Sequence, residues 1–170
     1  MNEQTNAKVS NDHSLAGKYL TFVAGDEEYG IGILKVQEII GIMKVTRVPR
    51  VSSFIRGVIN LRGKVIPIID LRLRFDLPAQ VDSERTCIVV VQIRRDNEEV
   101  TMGIVVDEVR EVMDIAADAI EPPPRFGNGV STAFLLGMAK VGDKVIELLD
   151  IDRVLSQEEM GALQEVSSES

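Results

Sequence analysis

Few side chains in this sequence could carry out catalysis. The only histidine, His13, lies in a polar N-terminal stretch that we expect to be disordered, so no Ser-His or Cys-His pair can be built on a rigid scaffold. The only cysteine, Cys87, opens an apolar run, where a core residue is expected rather than a nucleophile. A single cysteine also excludes an intramolecular disulfide. Without a second cysteine or an ordered histidine, no metal site is expected.

Carboxylates are the remaining candidates for acid–base chemistry. Asp70 and Asp150 follow apolar runs at equivalent points of two similar segments. Two such carboxylates could converge, as the paired acids of glycosidases do. We favour the alternative that each one caps the helical turn that follows it. Because a phosphate-binding glycine loop is also absent from the sequence, we predict no catalytic residue and no cofactor, and an enzyme stays a minor alternative.

The element that stands out is a hairpin within residues 55–71. Two strongly β-forming runs, 57–61 and 64–69, flank the pair Arg62-Gly63. Gly63 can adopt a positive φ without a Cβ penalty, so a tight turn is predicted between the two strands.

A weaker copy of this hairpin occupies residues 136–151, which indicates two similar halves. A shift of 80 positions takes Gly57 to Gly137 and Asp70 to Asp150, and a shift of 73 takes Gly30 to Gly103 and Glu38 to Glu111. Each half holds about five short strands rich in Val and Ile, a pattern that favours a closed barrel without exposed edges.

The tip Asn60-Leu61-Arg62-Gly63 is found in the first half alone, since residues 140–143 read Lys-Val-Gly-Asp. Stability requires only a turn here. Arg62 is therefore either a solvated turn residue or part of a contact surface. We hypothesise that Glu38 pairs with Arg62 and shapes that surface.

Charge is distributed unevenly along the chain. The net charge is −8, but residues 44–74 carry eight basic side chains and one acid, which gives that segment +7 and the remainder −15. The overall charge disfavours nucleic acid and anionic membrane as partners. The basic segment is either a set of solvated strand faces or a patch for an acidic protein. Because no stretch has the length and apolarity of a signal peptide or membrane span, we expect a cytoplasmic protein without direct membrane insertion.

Several motifs together resemble the CheW family of chemotaxis coupling proteins. They occur in the order and spacing of that family and span about residues 18–163, and they read Gly25-Asp26-Glu27-Glu28-Tyr29-Gly30-Ile31, Leu34-Lys35-Val36-Gln37-Glu38-Ile39, Phe54-Ile55-Arg56-Gly57-Val58-Ile59-Asn60-Leu61-Arg62-Gly63, Pro67-Ile68-Ile69-Asp70-Leu71 and Gly103-Ile104-Val105-Val106-Asp107-Glu108-Val109.

The resemblance implies a mostly β fold of two intertwined, SH3-like, five-stranded barrels with short connecting helices and a C-terminal helix. We expect a disordered tail at residues 1–16, one domain at 17–164 and a flexible tail at 165–170. The barrels are expected at roughly 36–85 and 86–150, completed by the N-terminal strands and the C-terminal helix.

The resemblance also implies a non-enzymatic scaffold that couples methyl-accepting chemotaxis receptors to the histidine kinase CheA at the inner face of the membrane. Its partners would be the receptor tips, the regulatory domain of the kinase and further CheW molecules. An alternative is a stand-alone CheW-like regulatory module of a related two-component system.

Site residues follow from the same resemblance. The receptor-facing candidates are Val36, Glu38, Gly57, Leu61, Arg62 and Val105. The kinase-facing candidates are Ile42, Met43 and Val45 on the first barrel and Phe126 and Val130 on the second. We expect Arg62→Glu and Gly57→Asp to weaken receptor coupling and leave the fold intact.

Overall fold

The computed structural model describes residues 15–77, 81–95, 97–123, 134–156 and 158–163. The two expected tails lie outside these ranges, apart from residues 15 and 16. Eleven strands make up two sheets. In chain order they are β1 (Gly17–Ala24), β2 (Glu27–Gly32), β3 (Val36–Gly41), β4 (Ile55–Leu61), β5 (Lys64–Asp70), β6 (Cys87–Arg95), β7 (Glu98–Val106), β8 (Glu108–Ile115), β9 (Ile120–Glu121), β10 (Leu135–Val141) and β11 (Lys144–Leu149).

Helical segments within the described residues are short. A four-residue helix, α1 (Leu71–Arg74), follows β5, and a second helix, α2, covers residues 158–163. Three 3₁₀ turns lie at Ile33–Lys35, Ala117–Ala119 and Ile151–Arg153.

The two sheets exchange hairpins, which makes the halves intertwined. One sheet has the order β3-β6-β7-β5-β4, and the other has the order β8-β1-β2-β11-β10-β9. The β1–β2 hairpin therefore completes the sheet of the C-terminal half, and the β6–β7 hairpin completes that of the N-terminal half. This confirms the predicted mostly β fold of two SH3-like units, with the short β9 as a sixth strand in one of them.

The division between the sheets differs from the expected boundary at residues 85/86. β6 and β7 lie beyond that point but pair with β3 and β5. The reason is the hairpin exchange, because the expected boundary falls just before the exchanged β6–β7 hairpin rather than at the end of a sheet.

The two halves of the repeat form the same backbone pairings and hydrogen bonds. Gly103 pairs with Ile68 in the parallel β5–β7 ladder, and Gly30 pairs with Leu148 in the parallel β2–β11 ladder. The amide of Asp70 donates to the carbonyl of Phe54 at 2.7 Å. Asp150 and Phe134, 80 positions later, form the same bond at 2.7 Å. The two sequence shifts therefore reflect two copies of one strand arrangement.

The core has three parts, one between the sheets and one inside each unit. The largest cluster joins Phe22 and Ile31 of one sheet to Val89 and Ile104 of the other. All four are fully buried, and such burial stabilises the fold by roughly 1.5–3 kcal/mol per side chain. The smaller clusters consist of Ile59, Ile66, Ile68, Ile88, Val90 and Val105 in one unit and of Tyr19, Ile115, Ala139, Ile146 and Leu148 in the other.

Two element boundaries differ from expectation. The pattern of residues 39–47 favours one continuous strand, but β3 ends at Gly41, because the chain then turns to pair Thr46 with Val58 on β4. The predicted C-terminal helix from residue 151 is a 3₁₀ turn followed by the separate α2. Ser156 interrupts it, since its Oγ accepts from the Glu159 amide at 3.1 Å while Glu159 Oε1 accepts from the Ser156 amide at 2.7 Å, a capping box.

Candidate functional site

The tip of the β4–β5 hairpin holds an arginine in an unfavourable backbone conformation. Arg62 has φ 52° and Gly63 has φ 86°. The Asn60 side chain supports the turn, because its Oδ1 accepts from the Gly63 amide at 2.8 Å. Left-handed backbone suits Gly or Asn and disfavours residues with longer side chains. Turn stability therefore gives no reason for an arginine at position 62.

Arg62 forms an ion pair with Glu38, which confirms the hypothesised pairing. The Arg62 side chain is 70% exposed, so the pair adds little to stability. β3 and β4 are the two edges of their sheet, and the pair joins them across the gap. A two-way hydrogen bond between the backbones of Thr46 and Val58, at 2.8 and 2.9 Å, joins the same region to β4. These two contacts close the unit between its edge strands, and the ion pair lies at the protein surface.

We use the name tip surface for the ion pair of Glu38 and Arg62 together with two neighbours along the chain, Val36 on β3 and Leu61 at the end of β4. Both neighbours are half-buried, Val36 against the core between the sheets and Leu61 against the small core of its unit. Leu34 extends it along the chain in the 3₁₀ turn before β3 and is 97% exposed. An isolated leucine in a short apolar run gives no sequence signal of such exposure.

Two further receptor-facing candidates lie below the surface. Val105 is fully buried in the small core of its unit, beneath Leu61, so it cannot contact a partner directly. Gly57 is also buried, with φ 142°, and a Cβ there would lie 2.0 Å from the carbonyl oxygen of Thr46. The expectation that Gly57→Asp leaves the fold intact is therefore wrong. Gly137, its counterpart, meets the Glu121 carbonyl oxygen in the same way at 2.8 Å, so this glycine belongs to barrel construction.

The kinase-facing candidates of the first half share one groove. Ile42, Met43 and Val45 line an open cavity of about 830 Å³ between residues 42–53, the start of β4 and α1. We call it the basic groove, because Arg47, Arg50 and Arg56 line it as well. Phe126 and Val130 lie outside the described residues.

An ion network beneath the groove joins the two units. Arg72 is 1% exposed, and its guanidinium donates to both carboxylate oxygens of Asp70 at 2.9 and 2.8 Å and to Asp107 Oδ1 at 2.6 Å. The other oxygen of Asp107 accepts from the Gly25 amide at 2.7 Å. Hydrogen bonding to Asp70 holds the pKa of Arg72 above its ordinary value. The network ties α1 to the β7–β8 junction and the β1–β2 turn.

Both predicted capping carboxylates act as caps. Asp70 Oδ1 accepts from the Arg72 amide at 3.0 Å, and Asp150 Oδ1 accepts from the Asp152 amide at 3.2 Å. Burial raises the pKa of Asp150. Each carboxylate is thus committed to its own turn and gives no sign of a shared catalytic centre.

The remaining chemical candidates behave as structural residues. Burial raises the pKa of the Cys87 thiol, which disfavours the thiolate form. Among the described residues, no group of three or more His, Cys, Asp or Glu side chains is arranged to hold a metal ion. No helix in the described part of the chain is long and apolar enough to cross a membrane.

Known proteins match nearly the whole chain. The family model of the CheW-like domain matches residues 18–159. Chemotaxis protein CheW of Klebsiella aerogenes is 41% identical over 150 residues, which cover 88% of each chain. Chemotaxis protein CheW of Helicobacter pylori is 31% identical over 156 residues, 92% of each chain. The crystal structure of the scaffolding protein CheW from Thermoanaerobacter tengcongensis superposes with a TM-score of 0.74 at 35% identity, covering 85% of this chain and 96% of that one.

Proposed function

Because the chain belongs to the CheW family, we propose that it is a non-enzymatic chemotaxis scaffold that couples methyl-accepting receptors to the histidine kinase CheA. The observation that carries the proposal is the tip surface. Arg62 is held by Glu38 in a conformation that turn stability disfavours, at a hairpin whose second copy lacks the arginine. Strain of this kind, where the fold does not require it, points to a functional site.

The receptor is proposed to dock on the tip surface. The arginine head and its carboxylate partner offer a charged contact, and Val36, Leu61 and Leu34 offer apolar area around it. Gly57 and Val105 act from below, since they fix the path of β4 and the packing under Leu61. A solvated contact of this size is expected to be modest in affinity and to depend on assembly for strength.

The kinase regulatory domain is proposed to dock on the neighbouring basic groove through Ile42, Met43 and Val45. β3 carries Glu38 and ends at Gly41, one residue before Ile42 of the basic groove. At about 3.3 Å per residue, Glu38 and Ile42 lie about 13 Å apart along the chain. One short strand of a closed unit and the segment directly after it thus carry both contacts. Such a unit holds receptor and kinase in a fixed geometry, and a shift of the receptor tip reaches the kinase without chemistry.

The second barrel is proposed to add contacts through Phe126 and Val130, to the kinase and to further CheW molecules. We also propose a cytoplasmic location with recruitment to receptor arrays. The net charge of −8 supports protein partners rather than nucleic acid.

Binding of a receptor cytoplasmic fragment tests the receptor half of the proposal. Arg62→Glu places two carboxylates together and should weaken binding at least about tenfold, while the reversed pair Glu38→Arg/Arg62→Glu should recover part of it. Lys140→Glu is the matched control, because Lys140 is an exposed cation that forms an ion pair with Glu121 at the second hairpin. Equal losses in Arg62→Glu and Lys140→Glu, or no loss in either, would count against the tip surface.

A further inference from the structure

The basic groove combines an apolar floor with cationic side chains. Ile42, Met43 and Leu73 line it and are 36%, 41% and 39% exposed, which is unusual for large apolar residues of this chain. Asp82 is the single acid among the described residues that line the groove. A partner therefore has to cover apolar area and supply negative charge at the same time.

Arg56 has an unused hydrogen-bond donor at this site. Its Nη2 donates to Asp82 Oδ2 at 3.0 Å, and its Nε lies 4.0 Å from Asp70 Oδ2. Its Nη1 is buried and has no hydrogen-bond partner within the described residues. A guanidinium donor buried without an acceptor is costly. Because this nitrogen is buried and Arg56 already pairs with Asp82, the exposed cations that line the groove are Arg47 and Arg50.

Arg50 is the second arginine in a left-handed conformation, with φ 62°. The other described non-glycine residues with positive φ, apart from Arg62, are Asp26, Asp76 and Asn97, and short polar side chains of this kind tolerate the conformation. Within the described part of the chain, neither Arg47 nor Arg50 forms an ion pair. The groove thus carries an arginine in a left-handed conformation, as the tip surface does, but without the ion pair that Arg62 forms with Glu38.

We propose that the basic groove binds an acidic, amphipathic protein segment, with carboxylates that reach Arg47 and Arg50 and an apolar side chain that covers Met43 and Leu73. The inference rests on the proposed function, since this is the surface assigned to the kinase, and it adds the chemistry of the docking segment and names Arg50 as a residue that determines specificity. A small anion would leave the apolar floor uncovered. Single-stranded nucleic acid would find no aromatic side chain for stacking among the residues that line the groove.

Titration of the kinase regulatory domain against the full chain tests the inference. Arg50→Gly removes the charge and also relieves the left-handed backbone, so the fold is expected to stay intact. We expect its Kd to rise at least about fivefold at low salt, with a similar rise for Arg47→Ala. The wild-type affinity should fall between about 50 mM and about 500 mM NaCl, because screening weakens exposed charge pairs. Arg153→Ala removes an exposed arginine outside the groove and should change the Kd less than about twofold.

The possible results distinguish a failure of the acidic-segment proposal from a failure of kinase docking itself. If the kinase domain binds but neither salt nor the two arginine substitutions changes its Kd, the acidic segment is refuted and kinase docking stands. If the wild-type chain does not bind the kinase domain at all, the proposed function fails and the inference fails with it. Salt-dependent binding of single-stranded oligonucleotides that Arg50→Gly abolishes would replace the protein segment by nucleic acid.

Discussion

Arg62 and Lys140 show at the residue scale how the two copies of the hairpin differ. Both lie at the end of a β-hairpin, both are exposed, and each pairs with a glutamate. Only Arg62 sits within the turn itself and in a left-handed conformation. The second hairpin closes with glycine at its positive-φ position, Gly142. The comparison of the two hairpins therefore identifies Arg62 as a residue that the turn itself does not require.

Gly57 belongs to the opposite class, because the fold itself requires it. Gly57→Ala should lower the free energy of unfolding by about 2 kcal/mol or more, since the new Cβ meets backbone that cannot move freely. Gly41→Ala is the matched control, as a Cβ there meets nothing within 4 Å. Urea unfolding measures both. A Gly57→Ala variant as stable as Gly41→Ala would contradict the close approach to Thr46.

The free energy of unfolding depends on pH through the carboxyl group of Glu147. Burial, and then the charge of Glu27, raise the pKa of this carboxyl from its ordinary value of 4.5. The folded state therefore binds the proton more tightly than the unfolded state, and ionisation of Glu147 costs stability at neutral pH. That cost disappears as the pH falls through the raised pKa towards 4.5.

Glu147→Gln should accordingly raise the melting temperature at about pH 7, and the difference from wild type should shrink towards about pH 4. Melting curves across this range measure it. Glu84→Gln, at an exposed site, is the control and should show no such trend. A difference that grows as the pH falls would reverse the assigned sign.

At the scale of elements, the two units are fastened by ion pairs of opposite polarity. In one junction a cation after β5, Arg72, reaches Asp107 between β7 and β8 at 2.6 Å. In the other an acid after β11, Asp152, reaches Lys35 between β2 and β3 at 2.7 Å. The shift of 80 positions takes Arg72 to Asp152, so one partner of each pair occupies equivalent positions with exchanged charge. Neither pair could be predicted from the sequence, because the partners lie 35 and 117 residues apart.

The two junctions should differ in energy, because only one is buried. Arg72→Met leaves Asp70 and Asp107 without their shared cation and should cost about 3–5 kcal/mol of unfolding free energy. Lys35→Met breaks a pair that is partly exposed on both sides and should cost about 1 kcal/mol or less. Denaturant unfolding compares them. Equal costs would mean that the buried network does not fasten the units.

Strands with a local signal were predictable, whereas their exchange was not. The turn at Arg62-Gly63, the cap at Asp70 and the Glu38–Arg62 pair all follow from residue type and from the repeat. The hairpin exchange depends on pairing between distant segments. The expected boundary between the two barrels therefore fell at residue 85, whereas the change of sheet occurs between β7 and β8. The exposure of Leu34 and the left-handed Arg50 depend on backbone geometry that residue types alone do not specify.

At the scale of the whole molecule, one closed unit carries both the tip surface and the basic groove. The tip surface includes residues of β3, and the basic groove begins at Ile42, directly after that strand. The second unit is joined to the first through a common core and the Arg72 network. Substitutions on either surface should therefore remove one partner and retain the other. This separability distinguishes a scaffold from a chain that merely loses its fold.

Co-sedimentation of kinase with receptor-containing membranes measures whether this chain links the two partners. Kinase should sediment with the membranes only when the wild-type chain is added. With Arg62→Glu the kinase should still bind the chain in solution but stay in the supernatant, and with Met43→Glu the chain should sediment without the kinase. Kinase recruitment that is independent of the chain, or recruitment that both variants support fully, would contradict the claim that this protein couples the two.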